Sequence, residues 1–96
     1  MYKICVFAGT TEGRELVEFL SNQPVSVTAC VATEYGETLL SPGENLTVSA
    51  QRLTAQEMEA LFTKGRFHLV VDATHPYASV VTENIVSACK ATGTAY

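Results

Sequence analysis

Ile4-Cys5-Val6-Phe7-Ala8-Gly9-Thr10-Thr11-Glu12-Gly13-Arg14 sets an unbroken apolar run against a glycine, two hydroxyl residues and an acid. An apolar run of this kind reads as a central strand covered on both faces. Gly9 ends the run, and either Thr10 or Thr11 can cap a helix whose first turn favours the acidic Glu12. Gly13, Leu16, Val17 and Leu20 then share one helical face, and Asn22 to Pro24 ends the helix. A strand feeding a helix through one glycine is the unit from which parallel α/β sheets are built.

The unit recurs downstream. Val25, Val27, Ala29 and Val31 alternate with Ser26, Thr28 and Cys30, which predicts a second, less buried strand. Thr33 to Pro42 reads as a loop with room for one helical turn, and Pro42-Gly43 marks a turn. Leu46 to Ala50 is a short third strand. Thr54-Ala55-Gln56-Glu57 is a capping box, Leu53 can staple against Met58, and Met58, Leu61 and Phe62 form the buried stripe of a helix stopped by Gly65. Leu69 to Ala73 is the fourth strand. Pro76 suits the first position of a helix with the stripe Tyr77, Val81, Ile85 and Ala88, closing at Gly93. Thr94-Ala95-Tyr96 has the pattern of a fifth strand just beginning, so the 96 residues are expected to be the front part of a longer protein.

Right-handed crossovers place these strands in the order 3-2-1-4, with the fifth outermost. The fold class is therefore α/β, a Rossmann-like three-layer domain on a parallel sheet. Its switch point lies between strands one and four, where ligands of such sheets bind at the carboxyl ends of the strands. The loops there are Gly9–Arg14 and Ala73–Tyr77.

Composition narrows the function classes. With 47% hydrophobic and 17% charged residues, the chain is neither disordered nor collagen-like. A domain of 96 residues buries only ~60–65% of its unfolded surface, so it holds one core. No apolar run approaches the ~20 residues of a membrane span, and no signal peptide opens the chain, so the expected location is the cytoplasm with no membrane partner. Ten acids against six scattered bases give a net charge of −4, which argues against nucleic acid. Cys5, Cys30 and Cys89 are far apart in apolar segments, without a Cys/His cluster, and read as reduced core thiols rather than metal ligands.

Gly9 permits a tight turn beside the free amides of a helix start, and Thr10 and Thr11 add hydroxyls, a recipe for a phosphate or pyrophosphate site. Gly13 lets the helix approach the sheet, and Arg14 can reach a phosphate. The spacing is neither GxGxxG nor a P-loop, and a plain strand-to-helix turn stays open as the alternative. At the end of strand two, Thr33 is neutral where an NAD site carries an acid, which tilts the reading toward NADP. Glu34 follows it, and no Arg stands at that strand end. Asp72, His75 and Tyr77 can orient a ligand or move a proton. Equally, Asp72 can bind nearby amides, His75 can cap a helix and Tyr77 can pack in the core. His68, opening a strand, is structural or exposed, and Glu15, Glu18, Glu57 and Glu59 form a solvated face.

Gly9-Thr10-Thr11-Glu12-Gly13-Arg14, Ala32-Thr33-Glu34-Tyr35-Gly36 and Asp72-Ala73-Thr74-His75-Pro76-Tyr77-Ala78 together resemble the precorrin-6A reductase family of cobalamin biosynthesis, with Arg52-Leu53 also in line. Ala8, Ala50 and Thr54 depart from the family pattern, and Ala8 crowds a turn where glycine is usual. The resemblance implies a two-lobed oxidoreductase of which residues 1–96 are the N-terminal nucleotide-binding lobe. It implies NADPH, with NADH possible, giving hydride to one double bond of precorrin-6A, a carboxylated tetrapyrrole. Gly9, Thr10, Thr11, Glu12, Gly13 and Arg14 would then hold cofactor phosphates, and Thr33 and Tyr35 would line the adenosine end. Asp72, His75 and Tyr77 would sit beside nicotinamide and macrocycle, His75 or Tyr77 positioning or protonating the substrate. Because this lobe is acidic, most substrate contacts would come from a C-terminal lobe, and the chain alone is expected to be inactive.

The cobalt-precorrin-6A enzyme, using NADH or NADPH, is a sibling reading. A non-catalytic Rossmann-like nucleotide-binding module is the rival from another class. A phosphoacceptor receiver domain is excluded, because strand one ends without an acidic cluster for Mg²⁺. An unfinished fifth strand exposes an edge through which the fragment can self-associate.

Overall fold

The computed structural model describes residues 1–32 and 43–96. Its elements are β1 (Tyr2–Ala8), α1 (Thr11–Ser21), β2 (Val25–Val31), β3 (Leu46–Ala50), α2 (Ala55–Gly65), β4 (Leu69–Ala73) and α3 (Ser79–Thr92). The strands form one parallel sheet in the order β3-β2-β1-β4. The switch point falls between β1 and β4, as the crossover rule requires.

Alternation along β1 builds two cores. Ile4, Val6 and Ala8 face one side, joining Val17 of α1 with Val27, Ala29, Val31 and Leu46. Cys5 and Phe7 face the other, with Cys30, Met58, Phe62, Phe67, Val70, Ile85, Ala88 and Cys89. So α1 covers one face of the sheet and α2 with α3 the other. The sequence predicts a less buried β2, yet Val27, Ala29, Cys30 and Val31 are all buried. Flanked by β1 and β3, the strand is covered on both faces toward its C-terminal end, whatever its polar alternation suggests.

Thr10 rather than Thr11 caps α1, its hydroxyl accepting from the Gly13 amide at 3.0 Å. The capping box forms in full: the Thr54 amide donates to Glu57 at 2.9 Å and the Glu57 amide to the Thr54 hydroxyl at 3.1 Å. Leu53 packs against the cluster that holds Met58, consistent with the predicted staple.

The end of α2 differs from expectation. Gly65 is its last helical residue, and Arg66 takes the left-handed cap with φ 50°. Glycine is needed at 65 for packing instead, since a Cβ there would stand 2.7 Å from Cζ of the buried Phe67 ring. A side chain in the left-handed region is strained, so Arg66→Gly is expected to stabilise the fold by about 0.5–1 kcal/mol, read as a raised Tm.

The start of α3 is also corrected. His75 precedes a proline, which disfavours helical backbone, and Pro76 sits second in a four-residue turn closed by the Ala78 amide on the His75 carbonyl at 2.9 Å. The helix therefore begins at Ser79, and Tyr77, expected in its buried stripe, is 88% exposed. His75 is not the cap. Ala78 holds that position without a side-chain bond.

At the other end, Gly93 takes a left-handed φ of 69° and closes α3. Beyond it residues 94–96 form no strand of the four-stranded sheet, contrary to expectation, and a single bond from the Val70 amide to the Ala95 carbonyl at 2.9 Å holds them beside the outer edge of β4. His68 is structural and lies at the opposite end of the sheet from the switch point, its Nδ1 accepting from the Lys3 amide at 2.9 Å and its ring stacked on Tyr2.

Candidate functional site

The two loops at the switch point meet on one atom. The Ala73 carbonyl accepts from the Gly9 amide at 3.3 Å and from the Thr10 hydroxyl at 2.9 Å. Thr10 thus donates to β4 and accepts from α1, so its side chain is committed to joining the two loops. Gly13 completes the junction, since a Cβ there would lie 3.0 Å from the Ala73 carbonyl oxygen and 3.1 Å from the Ala8 Cα. In the first turn of α1, the amides of Thr11 and Glu12 are the donors that no intrahelical bond uses. Both residues are exposed, and Arg14 behind them is half-buried.

Asp72 organises the second loop. Its Oδ1 accepts from the Thr74 amide at 3.0 Å and the Thr74 hydroxyl at 2.5 Å, and its Oδ2 from the Thr82 hydroxyl at 2.6 Å and the Tyr96 hydroxyl at 3.4 Å. Burial opposes its charge, but these donors outweigh burial and hold the carboxyl below its usual pKa. Partial burial and the facing Asp72 charge push the Tyr96 phenol up. A carboxylate with this many donors is a clamp on the turn between β4 and α3.

A depressed carboxyl contributes stability above its unfolded pKa of ~3.9, and loses that contribution as pH falls through the folded value. Asp72→Asn is therefore expected to cost about 1 kcal/mol at neutral pH, a half-exposed charge being screened, and to flatten acid unfolding below pH ~4. Urea melts at neutral and acid pH check both.

His75 and Tyr77 stand together at the rim, ring centroids 4.5 Å apart, with His75 Nδ1 accepting from the Tyr77 amide at 3.3 Å. That bond assigns the neutral ring's proton to Nε2. Both side chains are exposed.

These residues edge a cavity of about 450 Å³ at the carboxyl end of the sheet. Phe7, Cys30 and Met58 are among its apolar lining, with Gly9, Thr74 and His75 also bordering it. Val80, Val81 and Asn84 of α3 line it too, and Gln51, Arg52 and Leu53 border it beyond β3. Among the predicted site residues Gly9, His75 and Tyr77 line this cavity, while Thr10, Thr11, Glu12, Gly13, Arg14 and Asp72 do not. Thr33 and Tyr35 lie outside the described residues. Arg52, Met58, Val80 and Asn84 were missing from the sequence-based site. For Arg52 the available signal was its place two residues past the third strand.

Among the described residues, no group of three His, Cys, Asp or Glu side chains could hold a metal ion, and no helix is long and apolar enough to cross a membrane. Cys5 and Cys30 lie with their sulfurs 3.8 Å apart in the core. Their mutual hydrogen bond and burial push the Cys5 thiol up, and burial does the same to Cys89. The bond from Cys5 lowers the Cys30 thiol against the opposing effect of burial.

A family model described as precorrin-6x reductase CbiJ/CobK matches residues 3–96. The chain belongs to this family. Among curated relatives of the CbiJ/CobK reductases, the cobalt-precorrin-6A reductase of Methanothermobacter thermautotrophicus is 38% identical over 95 residues, covering 97% of this chain and 31% of that protein. The Salmonella typhimurium protein of the same name is 34% identical over 94% of this chain and 34% of its own length. The precorrin-6A reductase of Rhodobacter capsulatus is 32% identical over 99% of this chain and 37% of that protein. A solved structure titled CobK precorrin-6A reductase superposes with a TM-score of 0.83 at 28% identity, covering 99% of this chain and 37% of the other. The chain thus spans about a third of the length of these CbiJ/CobK relatives.

Proposed function

We propose that residues 1–96 form the N-terminal nucleotide-binding lobe of a cytoplasmic precorrin-6A reductase of cobalamin biosynthesis. The reaction is hydride transfer from a reduced nicotinamide cofactor, NADPH, to one double bond of the tetrapyrrole. The supporting observation is the junction on Ala73, which sets the first loop and the His75–Tyr77 turn side by side at the switch point of a reductase-family chain.

The site suits a dinucleotide. The Thr11 and Glu12 amides at the start of α1 would receive its pyrophosphate, with Arg14 one turn behind. Gly9 leaves room for backbone approach, a Cβ there meeting only Thr74 and His75 atoms at 3.5 Å or more. Thr33 and Tyr35 would line the adenosine end. When bound, the cofactor would supply the hydride, and the apolar lining of Phe7, Cys30 and Met58 would keep water from the cavity. His75 Nε2–H and the Tyr77 hydroxyl, both at the rim, would position the macrocycle or hand it a proton, while Asp72 holds their turn in shape. A C-terminal lobe would supply most contacts to the substrate's carboxylates, and this lobe alone would not turn over. A cobalt-containing substrate is the second reading, favoured by the names of the Methanothermobacter and Salmonella relatives.

Titrating the chain with NADPH and NADH, read by calorimetry and thermal shift, tests the proposal. Saturable binding is expected, weakened at least about tenfold in Gly9→Ala with the unliganded Tm nearly unchanged, because the added methyl fits the fold but crowds the ligand. Binding unaffected by Gly9→Val would move the cofactor off this loop. In the whole reductase, normal turnover by His75→Ala would remove His75 from the mechanism.

A further inference from the structure

We propose that Arg52 is the residue that selects the 2′-phosphate of NADPH over the bare ribose of NADH, an inference that rests on the nucleotide-lobe reading above. In doubly wound sheets the pyrophosphate sits at the start of the first helix and the adenosine ribose beside the end of the second strand. Discrimination there depends on the charge beside the ribose: an acid binds the free 2′-hydroxyl, whereas a nearby Arg receives the phosphate. The sequence puts neutral Thr33, not an acid, two residues past β2.

The sheet supplies the missing cation from its neighbouring strand. Parallel register pairs Val31, the last residue of β2, with Ala50, the last of β3. Adjacent strands run about 4.8 Å apart, so the segment leaving β3 emerges next to the end of β2. Arg52 is the second residue of that segment, is exposed, and lines the cavity. It is the single Lys or Arg among the residues described there. The other bases stand elsewhere: Lys3 lies over Phe67 at 5.8 Å, Lys64 and Arg66 end α2, Lys90 ends α3, and Arg14 belongs to α1. A dianionic phosphate in an acidic lobe needs a cation, and the planar guanidinium fork matches phosphate oxygens two at a time.

The test compares wild type, Arg52→Ala, Arg52→Lys and Arg52→Glu, with binding measured by calorimetry against 2′,5′-ADP and 5′-AMP, and against NADPH and NADH. Wild type should prefer the 2′-phosphorylated member of each pair. Arg52→Ala should lose on the order of 10- to 100-fold in affinity for 2′,5′-ADP and NADPH while 5′-AMP and NADH change less than about threefold. Arg52→Lys should retain part of the preference, and Arg52→Glu should reverse it. Thermal melts without ligand should superimpose, the side chain being exposed. If wild type binds the phosphorylated ligands and Arg52→Ala keeps the full preference, or loses affinity equally for both members of a pair, the assignment fails and the nucleotide reading stands. If wild type binds no nucleotide, both fail together.

Discussion

Phe62→Ala is expected to remove about 4 kcal/mol of folding stability, a large share of the ~5–14 kcal/mol that a domain of this size possesses. Phe62 is 2% exposed at the centre of the face covered by α2 and α3. Its ring meets Phe7 edge-on at 6.1 Å and Phe67 at 6.4 Å, so truncation opens a cavity and removes two aromatic pairings at once. For a domain this small, each kcal/mol moves Tm by roughly 4–8 °C, and the variant should melt some ~15–30 °C below wild type. The loss also reaches the site, because Phe7 lies on the cavity and would no longer be braced from behind. A Tm within a few degrees of wild type would mean that the core collapses around the gap, contrary to the packing described.

Gly13 is the second position with a large expected effect, and there the sign is as informative as the size. Glycine to alanine inside a helix ordinarily stabilises by about 0.5–1 kcal/mol. Here the new Cβ would press on the Ala73 Cβ and carbonyl oxygen at 3.0 Å and on the Ala8 Cα at 3.1 Å. Two of those atoms are main chain in the adjacent strands β1 and β4, which cannot yield without disturbing the sheet. Gly13→Ala should therefore destabilise by about 1–2 kcal/mol, and Gly13→Val by about 3 kcal/mol. Nucleotide affinity should fall in parallel, since the start of α1 is pushed away from β4. Denaturant melts together with the nucleotide titration read both quantities. A stabilised Gly13→Ala would show that the helix lies farther from the sheet than the contact at Ala73 requires.

Sheet order and the switch point were legible because they follow from the alternation of elements and from chirality. The apolar runs at Ile4–Ala8 and Leu69–Ala73 needed no tertiary information to be read as strands. Local capping was legible too: Thr54 and Glu57 carry a signal that is complete within one turn.

What escaped the sequence depends on neighbours distant in the chain. Tyr77 has the spacing of a buried stripe, yet the geometry that His75-Pro76 imposes starts the helix after it. Gly65 looks like a helix stop, and its actual constraint is the Phe67 ring folded back over it. Thr10 offers a hydroxyl for a ligand by sequence alone, and only the parallel pairing of β1 with β4 shows that the hydroxyl is spent on Ala73. Arg52 was recognisable as a basic residue after a strand, but its relevance to the neighbouring strand's ligand position arises from register. The roles of Thr10, Asp72 and Thr74 as junction and clamp emerge in the same way, from bonds between segments that the sequence presents one at a time.

The bond that ties the two site loops together ends on a main-chain oxygen. Residue 73 can change its side chain over generations and still present that carbonyl, provided the newcomer stays small enough for Gly13. The donors are not equally free: position 9 needs only an N–H, which every residue but proline has, whereas position 10 must keep a hydroxyl to reach both Ala73 and the Gly13 amide. Homologues with this architecture should therefore drift at 73 within a size ceiling and hold Ser or Thr at 10. A library selected only for folding would display the same asymmetry with no ligand or turnover involved.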